Sequence, residues 1–324
     1  MKILVLTKIN DYLKSKMEDL GKKYNISWIV VPGKEVNTVL PEIDAIVAGY
    51  VAPEQIEIAK NLKAIFVPWA GADMLPWDVI KKKGVFVANS HGNGKIVAER
   101  ALALALTLTA RVVEYHNDLL KGIWHGFAVG FKKEDLWFSL QNKNVAILGT
   151  GTIGRHLAKL LRGFGCKIIG FKRVFKEIKD FDLITTSIES AIKDAHVVFV
   201  TLPLTKETYH IINKKVLLLM KNKFLINVGR GELIEEKALY KALENKILAG
   251  YASDVWYNYP GKEKSVVLPF NYPIHKFKNV VISPHVGGYT IEGQEGRIDE
   301  LIENIEHFIM KGKPKNIVDP EQMY

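Results

Sequence analysis

Three glycines spaced as Gly149-x-Gly151-x-x-Gly154 form the most informative local pattern in the sequence. An apolar run at 145–148 precedes them, a helical pattern follows, and a second apolar run ends at Phe171. In a strand–turn–helix unit the first glycine makes the tight turn, the second lets a pyrophosphate approach the backbone, and the third allows close helix packing. The pattern predicts a dinucleotide-binding turn, and the alternative is a structural tight turn.

The residues that follow Phe171 bear on the choice of cofactor. Enzymes that use NAD usually carry Asp or Glu at the end of this second strand, where the carboxylate binds the ribose hydroxyls. Here Lys172 and Arg173 stand at that point, and the first carboxylate is Glu177. Because arginine forms charge-assisted bonds to phosphate, the pair favours NADP(H) over NAD(H). The simpler alternative is that both cations are solvated surface residues.

An arginine and a histidine follow two later apolar runs. Arg230 lies between two glycines after residues 224–228, and His285 follows residues 280–283. The carboxyl ends of strands are where open α/β sheets bind ligands. A guanidinium there suits a carboxylate or a developing oxyanion, and an imidazole suits proton transfer near neutral pH. No cluster with metal-ligand spacing accompanies them, so no metal is expected.

Short apolar runs alternate with helical patterns along the whole chain. Runs that are apolar without alternation are typical of strands buried on both faces, as in parallel sheets. The sequence therefore predicts doubly wound α/β architecture. The predicted strands are residues 3–6, 45–48, 64–67, 85–88, 145–148, 167–171, 197–201, 224–228, 247–252 and 280–283.

Two long helices are also predicted. Residues 95–120 contain Ala-Leu-Ala-Leu-Ala-Leu and no turn residue, and Ala and Leu both favour helix. We expect one largely buried helix that packs between domains or subunits. The second helix covers residues 298–310 and ends before a glycine, with an apolar stripe formed by Ile298, Leu301, Ile302, Ile305 and Ile309.

The composition is that of a globular chain of 324 residues, 48% hydrophobic and 25% charged, a length typical of about two domains. Its 45 Lys and Arg against 35 Asp and Glu give a net charge of +10. No basic stripe with interleaved aromatic residues accompanies that charge, so no nucleic-acid partner is expected. The longest apolar stretch, 101–110, is too short to cross a membrane, and no secretory segment is predicted. A cytoplasmic protein is expected.

Taken together, the motifs and their order resemble the D-isomer-specific 2-hydroxyacid dehydrogenases over essentially the full length. The segments that carry the resemblance are the Gly149 turn, 97–102 (VAERAL), 201–208 (TLPLTKET), 227–231 (NVGRG), 254–256 (DVW) and 283–288 (SPHVGG). The resemblance implies a Rossmann dinucleotide-binding domain, residues 93–288, inserted into a flavodoxin-like substrate domain, residues 1–92 and 289–324. It also implies a homodimer formed through the 95–120 region.

The resemblance further implies roles for single residues. Arg230 would bind the substrate carboxylate and polarise the carbonyl, and His285 would be the acid in reduction or the base in oxidation. The substrate-binding residues would be Gly71, Ala72 and Asn93. The cofactor-binding residues would be Gly149, Gly151, Thr152, Ile153, Gly154, Lys172, Arg173, Pro203, Thr205, Val228, Asp254 and Gly287.

One position departs from the family pattern. Members usually read Asp-Val-Phe-x-x-Glu-Pro, whereas this chain reads Asp254-Val-Trp-Tyr-Asn-Tyr259-Pro260, with a tyrosine in place of the glutamate that partners the histidine. A carboxylate would raise the pKa of His285 by favouring the charged ring, and a neutral phenol would only orient the ring. Either the enzyme works with a less basic histidine, or its chemistry has diverged from 2-keto acid reduction.

The predicted function is hydride transfer between NADP(H) or NAD(H) and a small 2-keto or D-2-hydroxy acid. One alternative is an enzyme similar to formate dehydrogenase, which the absent glutamate favours. Another is a non-catalytic, nucleotide-sensing protein similar to the corepressors related to this fold. Turnover of 2-keto acids separates the enzyme from the sensor.

Overall fold

The computed structural model describes residues 1–261 and 264–323, which form two compact units. Unit 1 comprises Met1–Asn93 and the C-terminal segment from Tyr289, and unit 2 comprises Gly94–Gly288. The boundary predicted from the sequence lies one residue earlier, before Asn93. Each unit is built on its own sheet and its own core.

Unit 1 contains a five-stranded parallel sheet. Its strands are β1 (Lys2–Val5), β2 (Ser27–Ile29), β3 (Ala45–Val47), β4 (Ala64–Phe66) and β5 (Phe86–Ala88). Their order in the sheet, β2-β1-β3-β4-β5, is that of flavodoxin-like folds. The helices of its N-terminal segment are α1 (Asp11–Tyr24), α2 (Val36–Val39), α3 (Pro53–Ile58) and α4 (Trp77–Lys83).

Unit 2 contains a seven-stranded parallel sheet. Its strands are β6 (Asn144–Leu148), β7 (Lys167–Phe171), β8 (Leu183–Thr185), β9 (Val197–Val200), β10 (Phe224–Asn227), β11 (Gly250–Ser253) and β12 (Val280–Ile282). Its helices are α5 (Gly94–Thr109), α6 (Val112–Leu119), α7 (Thr152–Arg162), α8 (Ile188–Ile192), α9 (Lys214–Leu218) and α10 (Glu236–Glu244). The sheet order is β12-β11-β10-β9-β6-β7-β8. The first strand of the unit therefore lies inside the sheet, and the chain winds outward to both sides of it, as in the Rossmann fold.

The chain returns to unit 1 through α11 (Ile291–Lys311). Thr290 caps its start, because its hydroxyl accepts a hydrogen bond from the Gly293 N–H at 3.0 Å. Gly312 ends it in the left-handed conformation. Leu301, Ile305 and Phe308 pack into the core of unit 1. The helix was predicted to start at residue 298, too late by seven residues, since its first two turns are largely polar and do not show the apolar stripe.

The predicted helix over 95–120 is wrong as a single buried element. It is interrupted at Arg111, which has φ 55° and separates α5 from α6. The guanidinium of Arg111 bonds Glu114 and the Glu134 carbonyl, and these contacts hold the break. Ala98, Ala101 and other residues of α5 are buried, whereas Val112, Val113, Leu119 and Leu120, beyond the break, are exposed.

The α/β fold class predicted from the sequence is confirmed, and two edge strands were missed. β2 and β8 are three residues long and lie at sheet edges. Each contains a polar residue among its three, Ser27 in β2 and Thr185 in β8, so neither shows the continuous apolar run on which the prediction relied. No helix within 1–261 and 264–323 is long and apolar enough to cross a membrane.

Candidate active site

The glycine turn between β6 and α7 has the geometry of a phosphate cradle. Gly149 has φ 110°, and a Cβ there would lie 2.7 Å from the Thr201 hydroxyl. A Cβ on Gly154 would lie 2.0 Å from the Gly149 carbonyl oxygen, so α7 packs against the turn at backbone distance. Gly151 is the N-cap of α7 and offers no side-chain acceptor. The first N–H groups of the helix, from Thr152 and Ile153, are thus left for an anion.

The loop after β9 lies beside this turn. The Thr201 hydroxyl donates to the Gly149 carbonyl at 2.8 Å. Further along, Thr208 closes the loop on itself, because its hydroxyl donates to the Pro203 carbonyl at 2.7 Å and accepts from the Thr205 N–H at 2.8 Å. The loop is therefore fixed by its own side chains next to the cradle.

The cation pair after β7 is partly engaged within the protein. The Arg173 guanidinium lies 3.2 Å from the Glu207 carboxylate, and both side chains are more than half exposed. Glu207 belongs to the same loop as Thr205 and Thr208. An exposed pair of this kind contributes little to stability.

Arg230 is held on a short loop after β10. The side chain of Asn227 fixes that loop from both ends, accepting from the Gly229 N–H at 3.0 Å and donating to the Arg230 carbonyl at 2.8 Å. A Cβ on Gly231 would lie 2.3 Å from the Trp256 carbonyl oxygen, so only glycine fits there. Val228, two residues before Arg230, is buried in the core. The arginine backbone is thereby anchored to the sheet.

His285 stands on the loop that follows β12 and has an unusual backbone. Its φ of 58° lies in the left-handed region, which few residues other than glycine adopt. Its Nδ1 lies 2.9 Å from the Tyr259 hydroxyl oxygen, which also accepts a hydrogen bond from the Trp256 N–H at 3.0 Å. Tyr259 therefore contacts the imidazole, and Nε2 is the ring nitrogen left for a ligand.

The electrostatic surroundings disfavour a charged imidazole. Burial lowers the pKa of His285 from its usual value, and the positive charge of Arg230 lowers it further, while Asp254 opposes the shift. Burial also raises the pKa of Tyr259, so the phenol is neutral around pH 7. The ring thus has a neutral partner where a carboxylate would have stabilised the imidazolium.

Asp254, at the end of β11, is buried and binds the loop that carries His285. Its Oδ1 accepts from the Ser283 hydroxyl at 2.5 Å and from the Val286 N–H at 3.1 Å. Its Oδ2 accepts from the Gly287 N–H at 2.7 Å. One carboxylate therefore holds the chain on both sides of the histidine.

The predicted substrate-binding residues belong to unit 1. The side chain of Ala72 is buried in the core, and its carbonyl accepts the Trp77 indole N–H at 2.9 Å. Any polar contact of Ala72 with a ligand would thus come from its backbone. Gly71 and Asn93 are partly exposed. The substrate-binding role of Gly71, Ala72 and Asn93 stays a prediction.

Comparison with known proteins decides the family. Residues 83–287 match the family model described as D-isomer specific 2-hydroxyacid dehydrogenase, NAD binding domain. A glyoxylate reductase of Thermococcus litoralis is 34% identical over 288 residues, which cover 86% of this chain and 85% of that protein. The chain belongs to the D-isomer-specific 2-hydroxyacid dehydrogenases. It is accordingly an NAD(P)-dependent oxidoreductase that acts on a CH–OH group.

Other relatives agree in sequence and structure. A glyoxylate reductase of Thermofilum pendens is 33% identical over 83% of this chain and 78% of that protein. A crystal structure of a protein from Pyrococcus horikoshii OT3 superposes with a TM-score of 0.83 at 30% identity, covering 99% of this chain and 95% of the other. An acyclic imino acid reductase in complex with NADPH and D-Arg has a TM-score of 0.81 at 25% identity, covering 98% and 100%.

All the predicted site residues of this dehydrogenase that lie in unit 2 follow the carboxyl ends of its strands, apart from those at the start of α7. The structure adds two residues to which the sequence analysis gave no role, Arg100 on α5 and Ser283. Arg100 is the last charged residue before an apolar helical stretch, and that position was the available signal. Within the described ranges, no group of three or more His, Cys, Asp or Glu side chains could hold a metal ion.

Proposed function

We propose that this dehydrogenase reduces a small 2-keto acid, with glyoxylate as the first candidate, to the corresponding D-2-hydroxy acid. The observation that carries the proposal is the pairing of His285 with Tyr259 within the electrostatic influence of Arg230, at the carboxyl edge of the unit 2 sheet. A proton donor and a fixed cation are what the reduction of a carbonyl beside a carboxylate requires. The names of the similar glyoxylate reductases support the choice of substrate.

Arg230 and His285 have separate roles in the proposed reduction. Arg230 binds the carboxylate of the substrate and stabilises negative charge on the carbonyl oxygen. His285, as imidazolium, gives its Nε2 proton to that oxygen while its Nδ1–H donates to the Tyr259 hydroxyl oxygen. A nicotinamide cofactor, when bound, would supply the hydride for the carbonyl carbon. The oxygen thus gains the proton, and His285 is left neutral.

The glycine turn fits a dinucleotide. Gly149 and Gly154 leave room that a Cβ would fill, and the uncapped start of α7 suits the pyrophosphate. We propose NADP(H) as the preferred cofactor, because Lys172 and Arg173 stand where a 2′-phosphate would lie. The imino acid reductase, which binds NADPH and has the same fold, supports this choice.

Steady-state kinetics test the proposal directly. Glyoxylate, hydroxypyruvate and pyruvate are each assayed with NADPH and with NADH, alongside formate oxidation. We expect turnover of a 2-keto acid and a higher kcat/KM with NADPH. Arg230→Met is expected to lose about 100-fold or more in kcat/KM, and Arg230→Lys less, because the lysine keeps the charge but not the paired geometry.

The other outcomes are equally informative. Cofactor binding without turnover of any 2-keto acid would contradict the proposal and support the nucleotide-sensing alternative. Oxidation of formate without 2-keto acid reduction would support the formate-dehydrogenase-like alternative. A higher kcat/KM with NADH would contradict only the cofactor preference.

We also propose that the protein is a homodimer. Most of α5 packs within unit 2, so the surface for a second copy is assigned to the segment 112–137, which overlaps the predicted 95–120 region only in part. This segment exposes a dense group of large apolar side chains, namely Val112, Val113, Leu119, Leu120, Ile123, Trp124, Phe127, Val129, Phe131, Leu136 and Trp137. Exposed apolar patches of this kind mark protein contacts.

The expected cytoplasmic location stays a prediction, which cell fractionation would test.

A further inference from the structure

We propose that Arg100 is a positioning residue for catalysis: through Ser283 it holds the left-handed backbone turn on which His285 is presented. The inference rests on the proposed acid role of His285. A hydrogen bond joins α5 to the loop that follows β12 and carries His285. The Arg100 Nη2 donates to the Ser283 hydroxyl oxygen at 2.6 Å.

The first step is the direction of the Ser283 hydroxyl. Because its oxygen accepts from Arg100, its hydrogen is directed at the Asp254 Oδ1, 2.5 Å away. The two bonds form a chain from guanidinium through hydroxyl to carboxylate, in which each donor has one acceptor. Charge-assisted bonds at both ends make this chain stronger than one built of neutral groups.

The second step is the closure of the loop around that carboxylate. Asp254 also accepts the N–H groups of Val286 and Gly287, the two residues after His285. A Cβ on Gly287 would lie 2.8 Å from the Asp254 Oδ2, so the backbone needs glycine to come this close. The loop is therefore tied to one anion before and after the histidine.

The third step is the strain that these ties maintain. His285 has φ 58°, a conformation that costs free energy for a residue with a Cβ and persists only where the surroundings impose it. The Ser283 carbonyl helps, since it accepts the Trp256 indole N–H at 2.7 Å and the His285 N–H at 3.1 Å. Ser283 thus connects the buried Trp256 to the backbone of His285.

The position of Arg100 in α5 explains why it can act from a helix. Ala98 and Ala101, its near neighbours, are fully buried, so the helix backbone lies close to the sheet of unit 2. The Nε of Arg100 is itself buried, without a hydrogen-bond partner among the described residues. The guanidinium is therefore held in place mainly by its bond to Ser283 and its packing.

The test compares four variants of the full chain: Arg100→Met, Arg100→Lys, Ser283→Ala and the double variant Arg100→Met/Ser283→Ala. Misplacing the proton donor should lower kcat about 10- to 100-fold in Arg100→Met, with KM changed about two-fold or less. Arg100→Lys should recover much of the loss, because lysine keeps a charged donor. The double variant should be no slower than Ser283→Ala alone, since both act on one chain of bonds. Lys159→Met, which removes an exposed cation from α7, is the matched control.

A second readout does not depend on turnover. Burial lowers the pKa of His285, so a loosened loop that exposes the ring should raise its NMR titration midpoint toward 6.5 in Arg100→Met and Ser283→Ala. If the wild type turns over no 2-keto acid, the proposed function fails, while this titration still tests the positioning role. An unchanged midpoint and unchanged kcat in Ser283→Ala, or multiplying effects in the double variant, would overturn the inference. Ser283→Ala removes a single oxygen and keeps the test valid should Arg100→Met not fold.

Discussion

At the scale of single residues, the contact between Tyr259 and His285 bears on the proposed acid role of the histidine. The phenol is neutral, and burial together with the charge of Arg230 lowers the pKa of the imidazole. A histidine that must be charged to donate its proton is then charged only in more acidic solution. We therefore expect tyrosine in place of the family's usual glutamate to shift the proposed reduction to lower pH, with a hydrogen bond to His285 Nδ1 still present.

This gives a prediction for Tyr259→Glu. Reduction needs the imidazolium, so kcat/KM is high below the pKa of His285 and falls as the pH rises through it. Because that pKa lies below the usual 6.5, the fall in kcat/KM of the wild type with rising pH should occur before neutral pH is reached. A carboxylate beside Nδ1 should move the fall upward by about 1 to 2 pH units.

The control for this prediction is Tyr259→Gln, which has the size of glutamate without its charge. Its pH profile should stay near that of the wild type. If Tyr259→Glu and Tyr259→Gln give the same profile, position 259 is not electrostatically coupled to His285.

At the scale of elements, the segment after α5 is organised around a histidine. His125 bonds two carboxylates at once, with Nδ1 2.9 Å from Asp135 and Nε2 3.1 Å from Asp118. The Tyr115 ring packs on the imidazole, and the Lys278 amine lies 4.0 Å from Asp118. These contacts join α6 to the following turns and hold the exposed apolar side chains in one arrangement.

This arrangement is expected to loosen as the pH rises above 6.5. The hydrogen bonds to Asp135 and then Asp118 raise the pKa of His125 above its usual 6.5. The stabilisation is therefore complete below pH 6.5 and is lost as the pH rises through the raised pKa. Hydrogen-exchange protection of residues 112–137 should follow this course in the wild type and be low at all pH values in His125→Gln.

The exposed His116, on α6, provides the control. His116→Gln should keep the pH dependence of the wild type. A His125→Gln variant whose protection still fell with rising pH would assign the effect to another group.

At the scale of the whole molecule, the exposed apolar segment predicts how copies of the chain associate. Phe127 is fully exposed in the single chain, although a phenylalanine gains about 1.5 to 3 kcal/mol on burial. In a symmetric dimer each such side chain contributes twice. Phe127→Glu should therefore weaken dimerisation about 100-fold or more, as measured by sedimentation velocity.

Val30→Glu is the matched control, because Val30 is an exposed apolar residue of unit 1. It should leave the sedimentation coefficient unchanged. A wild type that sediments as a monomer, or a Phe127→Glu dimer of unaltered affinity, would contradict the assignment of the dimer surface.

The sequence by itself determined the parts that depend on local chemistry. Gly149, Gly151 and Gly154 predicted the turn, since a tight turn and close helix packing require glycine at those spacings. The buried strands were predicted from unbroken apolar runs, and Arg230 and His285 from their positions after such runs. Each of these signals is complete within about fifteen residues of chain.

Only the tertiary structure decided which distant groups act together. Arg100, Ser283 and Asp254 lie far apart in the sequence and meet because α5, β11 and β12 pack in one unit. The short strands β2 and β8 and the break at Arg111 were likewise beyond local patterns, because pairing with a neighbouring strand and contacts across loops fix them. A hydrogen bond depends on distance in space, and the packing of the folded chain sets that distance.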